Sequence, residues 1–180
     1  MYQVKQEPVR SIDFNQKRLG FHEFAGALPN QHILLSKECL IEEVNCVLIF
    51  AFYQGKLVLV RHNCRGWELP GGSREEGESV IQTVIREMYE EAGGELASIE
   101  RIGQYLIYEK NRLAFVKNIY ISKVSSLRAL PGGFETNDVM LLDAVPTQQA
   151  IMNDLTFSPL MKDNVFVTVS EWIKDHRFTH

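Results

Sequence analysis

The sequence predicts an α/β fold in which strands flank one capped, amphipathic helix. The run 44–53 (VNCVLIFAFY) is almost continuously apolar, as expected of a strand covered on both faces. Residues 79–93 open with a potential capping serine, repeat apolar residues at helical spacing and end on glycine. Residues 96–108 and 113–124 read as two long strands joined by the polar turn 109–112.

Residues 1–43 mix apolar and charged side chains, with Gly20, Gly26 and Pro29 punctuating short strands. We expect them to form an N-terminal extension packed on the edge of the main domain. Gln54-Gly55 supplies a turn, and Lys56 to Arg61 returns as the second strand of a β-hairpin. Trp67 to Leu69 is a short strand halted by Pro70-Gly71-Gly72, residues that permit a tight turn and close backbone approach to a ligand. Ser79 and Gln82 have the spacing of a capping box. Val80, Ile81, Val84, Ile85, Met88 and Ala92 are expected to form the apolar stripe, with Glu87, Glu90 and Glu91 largely on the other side. Gly93 suits a left-handed helix end. Pro131-Gly132-Gly133 marks a loop before Glu135, and Pro146 to Asn153 suggests a short helix. Ser158-Pro159 signals a further helix, carrying Leu160, Met161, Val165, Val169, Trp172 and Ile173 near helical spacing. Val165 to Val169 is β-branched enough to compete as a strand.

A chain of 180 residues suggests a single domain, 1–180, and 45% hydrophobic with 23% charged residues suffices for an ordinary core. A net charge of −4 offers no footprint for duplex nucleic acid. No apolar run approaches the ~18 residues of a membrane span, and the N-terminus lacks the pattern of a signal peptide. Cys39, Cys46 and Cys64 are odd in number and lack metal-site spacing, which fits reduced thiols and a cytoplasmic setting. Monomer and homodimer both stay open. The histidines show no ligand spacing, and His62 is expected at a surface or pocket rim.

The stretch 72–94, GSREEGESVIQTVIREMYEEAGG, is the most informative. Glu87, Glu90 and Glu91 stand at i, i+3 and i+4, about 5–6 Å apart at Cβ on one helix. The positions four residues further on are Glu91, Gly94 and Glu95, so no base is offered there to relieve the repulsion. A hard divalent cation with oxygen ligands is the obvious remedy, and carboxylate-bound Mg²⁺ commonly partners phosphates.

The spacing Gly72, Glu78, Arg86-Glu87, Met88, Glu90-Glu91, Gly93 resembles the signature of the Nudix hydrolases, which cleave nucleoside diphosphates linked to another moiety. Every fixed Gly, Glu and Arg position of this Nudix box, 72–94, is met; the closing aliphatic position holds Gly94 instead. Trp67 to Gly72 is similar to the lead-in of the MutT-like branch. Gly103-Gln104-Tyr105, Lys117-Asn118-Ile119-Tyr120, Phe134-Glu135-Thr136 and Met161-Lys162-Asp163 resemble bacillus-type nucleoside triphosphatases proposed to sanitise oxidised guanine nucleotides such as 8-oxo-dGTP. The resemblance implies an α/β/α sandwich with a mixed central sheet and Mg²⁺- or Mn²⁺-dependent hydrolysis of a nucleotide to a monophosphate and pyrophosphate. It further implies metal ligation by Glu87, Glu90, Glu91 and the Gly71 carbonyl, with Arg86 orienting a box carboxylate and Glu78 supporting. Glu90, Glu91 or Glu135 would act as base, Glu135 alternatively as an extra ligand. Arg61 could meet a phosphate, while Tyr105, Phe157 and Asn164 are candidates for the base pocket. The alternatives are a nucleotide-sugar or other nucleoside-diphosphate pyrophosphatase, an RNA 5′-pyrophosphohydrolase and a nucleotide-sensing domain without turnover.

Overall fold

A computed structural model of the chain describes residues 20–26 and 28–180. In chain order its elements are β1 (His22–Ala25), β2 (Gln31–Ser36), β3 (Cys46–Tyr53), β4 (Lys56–His62), β5 (Gly66–Glu68), α1 (Val80–Ala92), β6 (Gly94–Glu109), β7 (Arg112–Leu127), β8 (Thr136–Leu142), α2 (Gln148–Asn153) and α3 (Asn164–Ile173). Residues 1–19 of the expected extension lie outside the described residues. Within the remainder, β1 and β2 join the sheet itself: β2 runs antiparallel to β6, and β1 closes that edge.

The strands form one mixed sheet of order β1-β2-β6-β7-β3-β4-β5, with β8 paired to β4. Alternation along β3 assigns the two faces. Val47, Ile49 and Ala51 pack with Val84, Met88 and Ala92 of α1, while Phe50 and Phe52 face Val165, Phe166, Val169 and Ile173 of α3. Phe50 and Phe166 stack with ring centroids 5.7 Å apart. Each such fully buried side chain stabilises the fold by roughly 1.5–3 kcal/mol, and covering both faces yields the expected α/β/α sandwich.

The hairpin of β3 and β4 is shorter than expected. Gln54 (φ 52°) and Gly55 (φ 77°) make its two-residue turn, but only Phe52↔Leu57 and Tyr53↔Lys56 pair. Beyond them β3 pairs in parallel with β7, and β4 turns to β5 and β8. The stretch after β5 fills the opening. Val47 N–H donates to Gly72 O (2.9 Å), and Ile49 N–H donates to Pro70 O (2.9 Å). The divergence of two strands thus seats the Nudix-box loop against the sheet.

Strand β8 has no counterpart in the sequence reading. It is an edge strand whose buried residue is Thr136, with Asn137, Asp138 and Leu141 exposed, so its apolar alternation is faint. At the C-terminal end the expected helix divides. Ser158 caps a short 3₁₀ turn, Pro159–Met161, and Asp163 caps α3 afresh by accepting the Val165 N–H. Helix prevails over strand at Val165 to Val169 because the helical repeat lands Val165, Phe166, Val169 and Ile173 on the sheet together. Among the described residues no helix is long and apolar enough to cross a membrane.

Candidate active site

Helix α1 starts as its sequence demands: Gln82 N–H donates to Ser79 Oγ (3.3 Å), and Ser79 N–H donates to Gln82 Oε1 (2.8 Å). It ends at Gly93, with φ 64° and its N–H turned back to Met88 O and Tyr89 O. The buried face differs from the expected stripe. Val84, Met88 and Ala92 are fully covered, but Ile81 and Ile85 are 43% and 49% exposed. Thr83, Glu87 and Glu91, spaced at i, i+4 and i+8, are buried instead. The cover over the two glutamates is backbone: a Cβ on Gly72 would stand 2.2 Å from Glu87 Oε1. Hydropathy spacing does not register burial under a glycine loop. Gly94 is explained the same way, since its Cβ would lie 2.8 Å from Met88 Cε. Gly72→Ala is expected to displace Glu87 and to lower kcat at least ~10-fold, with overpacking costing about 1–3 kcal/mol. Wild-type kcat and melting temperature in that variant would show that the loop does not position Glu87.

The basic partner of the box carboxylates is Arg86, which the family resemblance pairs with one of them, and not a residue four positions further on. Arg86 donates through Nε to Glu78 Oε1 (2.7 Å), through Nη1 to Glu87 Oε1 (2.9 Å) and Glu90 Oε2 (3.1 Å), and through Nη2 to Ser73 O (2.8 Å). The planar fork suits this branched task better than an ammonium. Bonded to Arg86, the Glu78 carboxyl is held down to about 2, and these acids in turn raise Arg86. No three His, Cys, Asp or Glu side chains converge as a metal-ligand group among the described residues.

Glu91 is different. Its carboxylate accepts the Gly71 N–H (2.8 Å) and forms no ion pair among the described residues. Burial pushes its carboxyl up to about 8, with the Gly71 bond opposing and the Glu87 charge adding. Burial also raises Glu87, against the attraction of Arg86. Two buried acids disfavour ionisation unless a cation approaches. Glu87, Glu90, Glu91 and the Gly71 carbonyl offer only oxygen donors, the chemistry a hard divalent cation takes, although their side chains do not converge as a ligand group in this arrangement.

Glu87, Glu91, Gly71 and Arg86 line a cleft of about 730 Å³, which Glu135 and Arg65 also border. A second cavity of about 380 Å³ adjoins it and shares Arg65, Gly71, Gly72 and Ser73. Its walls include Ile33, Ile107 and Phe166, and its polar groups include Glu68, Lys117 and Asp163.

The candidates from sequence divide accordingly. Glu135, Gly71, Arg86, Glu87 and Glu91 line the cleft; Glu78 and Glu90 do not, and both are tied to it through Arg86. Tyr105 lines the cavity. Arg61 is exposed at the end of β4 and borders neither space. Phe157 belongs to the core, and exposed Asn164 accepts a hydrogen bond from Gln148 Nε2 (3.0 Å). None of these three lines either space. Arg65, Lys117 and Asp163 line the cavity and were not among the candidates from sequence. Arg65 donates twice to buried Glu68, at 2.7 and 3.1 Å. The Lys117 ammonium lies 5.6 Å from the Tyr105 ring centre, and burial pushes the Asp163 carboxyl up to about 6. The legible signal was a lysine interrupting the apolar strand FVKNIYI.

The NUDIX domain family matches residues 43–152. YtkD of Bacillus subtilis (strain 168), provisionally named an 8-oxo-dGTP diphosphatase, is 34% identical over 119 residues, covering 66% of this chain and 73% of that protein. The crystal structure of a mutant of the Bacillus subtilis pyrophosphohydrolase BsRppH has 27% identity and a TM-score of 0.80, covering 88% of this chain and 99% of that one. The NUDIX domain of Shewanella oneidensis NrtR, crystallised with ADP ribose, shares the fold at 19% identity and a TM-score of 0.52, covering 76% and 89%. The chain belongs to the Nudix family, as a pyrophosphohydrolase.

Proposed function

We propose that the chain, acting as a single domain in the cytoplasm, hydrolyses a purine nucleoside triphosphate of the oxidised-guanine class to a nucleoside monophosphate and pyrophosphate. The observation that carries this reading is the junction of an acid-lined cleft with a cavity of about 380 Å³ across the Gly71–Ser73 loop. That volume lies within the range of small-molecule sites. The provisional name of the YtkD relative supports the substrate class.

Nudix hydrolases generally use divalent metal ions; Glu87, Glu90, Glu91 and the Gly71 carbonyl would hold Mg²⁺ here. When bound, the metal supplies charge neutralisation for the phosphates and a more acidic water. The chain's own groups do the rest. Arg65, braced by Glu68 between the two spaces, meets a phosphate oxygen. Lys117 donates to an acceptor on the purine edge, and Asp163 faces its donors. Glu135 takes the proton from the attacking water: Glu91 is tied to Gly71 N–H and Glu90 to Arg86, whereas Glu135 reaches the cleft with its side chain 81% exposed.

The test is a Mg²⁺-supplied panel of normal and oxidised nucleoside triphosphates, nucleotide sugars and 5′-triphosphorylated RNA. Monophosphate plus pyrophosphate from an oxidised guanine nucleotide, at the highest kcat/KM of the panel, is the expected result; preference for a nucleotide sugar or RNA would reject it. Lys117→Met keeps the stem and removes the charge. It is expected to raise KM for the preferred triphosphate ~10–100-fold, the worth of one charged hydrogen bond, with kcat within ~3-fold. An unchanged KM would remove Lys117 from the base site.

A further inference from the structure

We infer that His62 is a positioning residue for Glu135, holding that carboxylate in the acidic cleft through its Nε2–H. The inference rests on the reading of Glu135 as the group that takes the proton. His62 ends β4 beyond a register shift between Val60 and His62, and such irregularities re-aim side chains beside active sites. Its ring is buried, with 7% exposure.

The hydrogen bonds assign the tautomer. Nδ1 accepts the backbone N–H of Cys64 (3.0 Å) and of Arg65 (3.2 Å), so it carries no proton. In a neutral imidazole the proton then sits on Nε2, which faces Glu135 Oε2 at 3.4 Å. That separation is long for a hydrogen bond, as catalytic contacts often are before substrate binds. The surrounding backbone keeps the pair together. Asn63 N–H donates to Glu135 O (2.8 Å), and Asn137 Nδ2 donates to Asn63 Oδ1 (2.7 Å). The imidazole therefore links two parts of the proposed machinery, since its Nδ1 side orders the turn that carries Arg65 and its Nε2 side steers Glu135.

Two substitutions separate these functions. Asn in place of His62 can accept the turn N–H groups at the Nδ1 position but lacks the Nε2 donor; Gln supplies the donor. His62→Asn is expected to lower kcat ~10-fold with KM within ~2-fold, as loss of orientation does, and His62→Gln to recover most of that loss. In a Glu135→Ala background His62→Asn is expected to cause no further loss. Imidazole ¹⁵N spectra of the full chain are expected to show Nε2 protonated and Nδ1 bare, with the Nε2 signal moving in Glu135→Ala. Wild-type kcat in His62→Asn, equal losses in both backgrounds, or a proton on Nδ1 would overturn the proposal while leaving Glu135 as base. Wild-type kcat in Glu135→Ala would instead remove the base assignment, and this inference with it.

Discussion

Glu91→Gln is expected to reduce turnover at least ~100-fold while making the metal-free protein more stable at alkaline pH. The loss follows from Glu91's role as a proposed oxygen ligand in the cleft. The gain follows from its burial. The folded carboxyl is pushed up to about 8, above the ~4.3 of an exposed glutamate. The folded state therefore binds the proton more tightly than the unfolded one. That contribution is fully present below about pH 4.3 and is lost as pH rises through about 8. Wild-type protein in chelator should accordingly lose up to a few kcal/mol between pH 5 and pH 9. Glutamine cannot ionise, and its amide oxygen can still accept the Gly71 N–H, so the variant should have a flatter profile over that interval. Added Mg²⁺ should restore the wild type at pH 9 and stabilise the variant much less. Denaturant unfolding at several pH values, with and without Mg²⁺, provides the check. Parallel profiles for the two proteins would contradict the account of Glu91 as a buried acid awaiting a cation.

Arg86→Ala is expected to be the most destabilising single change in the Nudix box. The guanidinium bonds Glu78, Glu87, Glu90 and the Ser73 carbonyl at once, and its side chain is 19% exposed. Its removal leaves Glu87 and Glu78 near one another without a counter-charge, and breaking a buried ion pair costs about 3–5 kcal/mol. The lower end applies here, since water reaches part of the cluster, and a kcat loss of at least ~100-fold should accompany it. Arg86→Lys retains the charge but cannot span the four acceptors, so it should recover part of the stability and little of the activity. Equilibrium unfolding and steady-state kinetics on the same preparations separate the two effects. Wild-type stability in Arg86→Ala would mean that the guanidinium is not the brace of the carboxylates.

How far this site could be read in the sequence depended on what kind of fact each residue expressed. Local chemistry was legible: Ser79 and Gln82 at capping spacing, and Gly93 at the helix end, are facts about neighbouring residues. The Glu87, Glu90 and Glu91 cluster was legible for the same reason. What escaped depends on distant chain. Ile81 and Ile85 fitted the apolar stripe, yet the sheet meets α1 along Val84, Met88 and Ala92, and the glycine loop covers Glu87 and Glu91. Arg61 seemed well placed at the end of a strand, but it is exposed and borders neither space, while Arg65, in the following turn, lines both. Phe157 and Asn164 had suitable chemistry; neither borders the cavity, whereas Lys117 and Asp163 do. Strand β8 was invisible because a half-exposed edge strand needs little apolar alternation.

The acids of the Nudix box are proposed to share a divalent cation. Calorimetric titration of Mn²⁺ into the metal-free wild type and into a Glu87→Gln, Glu90→Gln, Glu91→Gln triple variant tests it without reference to any substrate. Saturable binding by the wild type, weakened at least ~100-fold in the triple variant, is the predicted result. Equal Mn²⁺ affinity in the two proteins would contradict it.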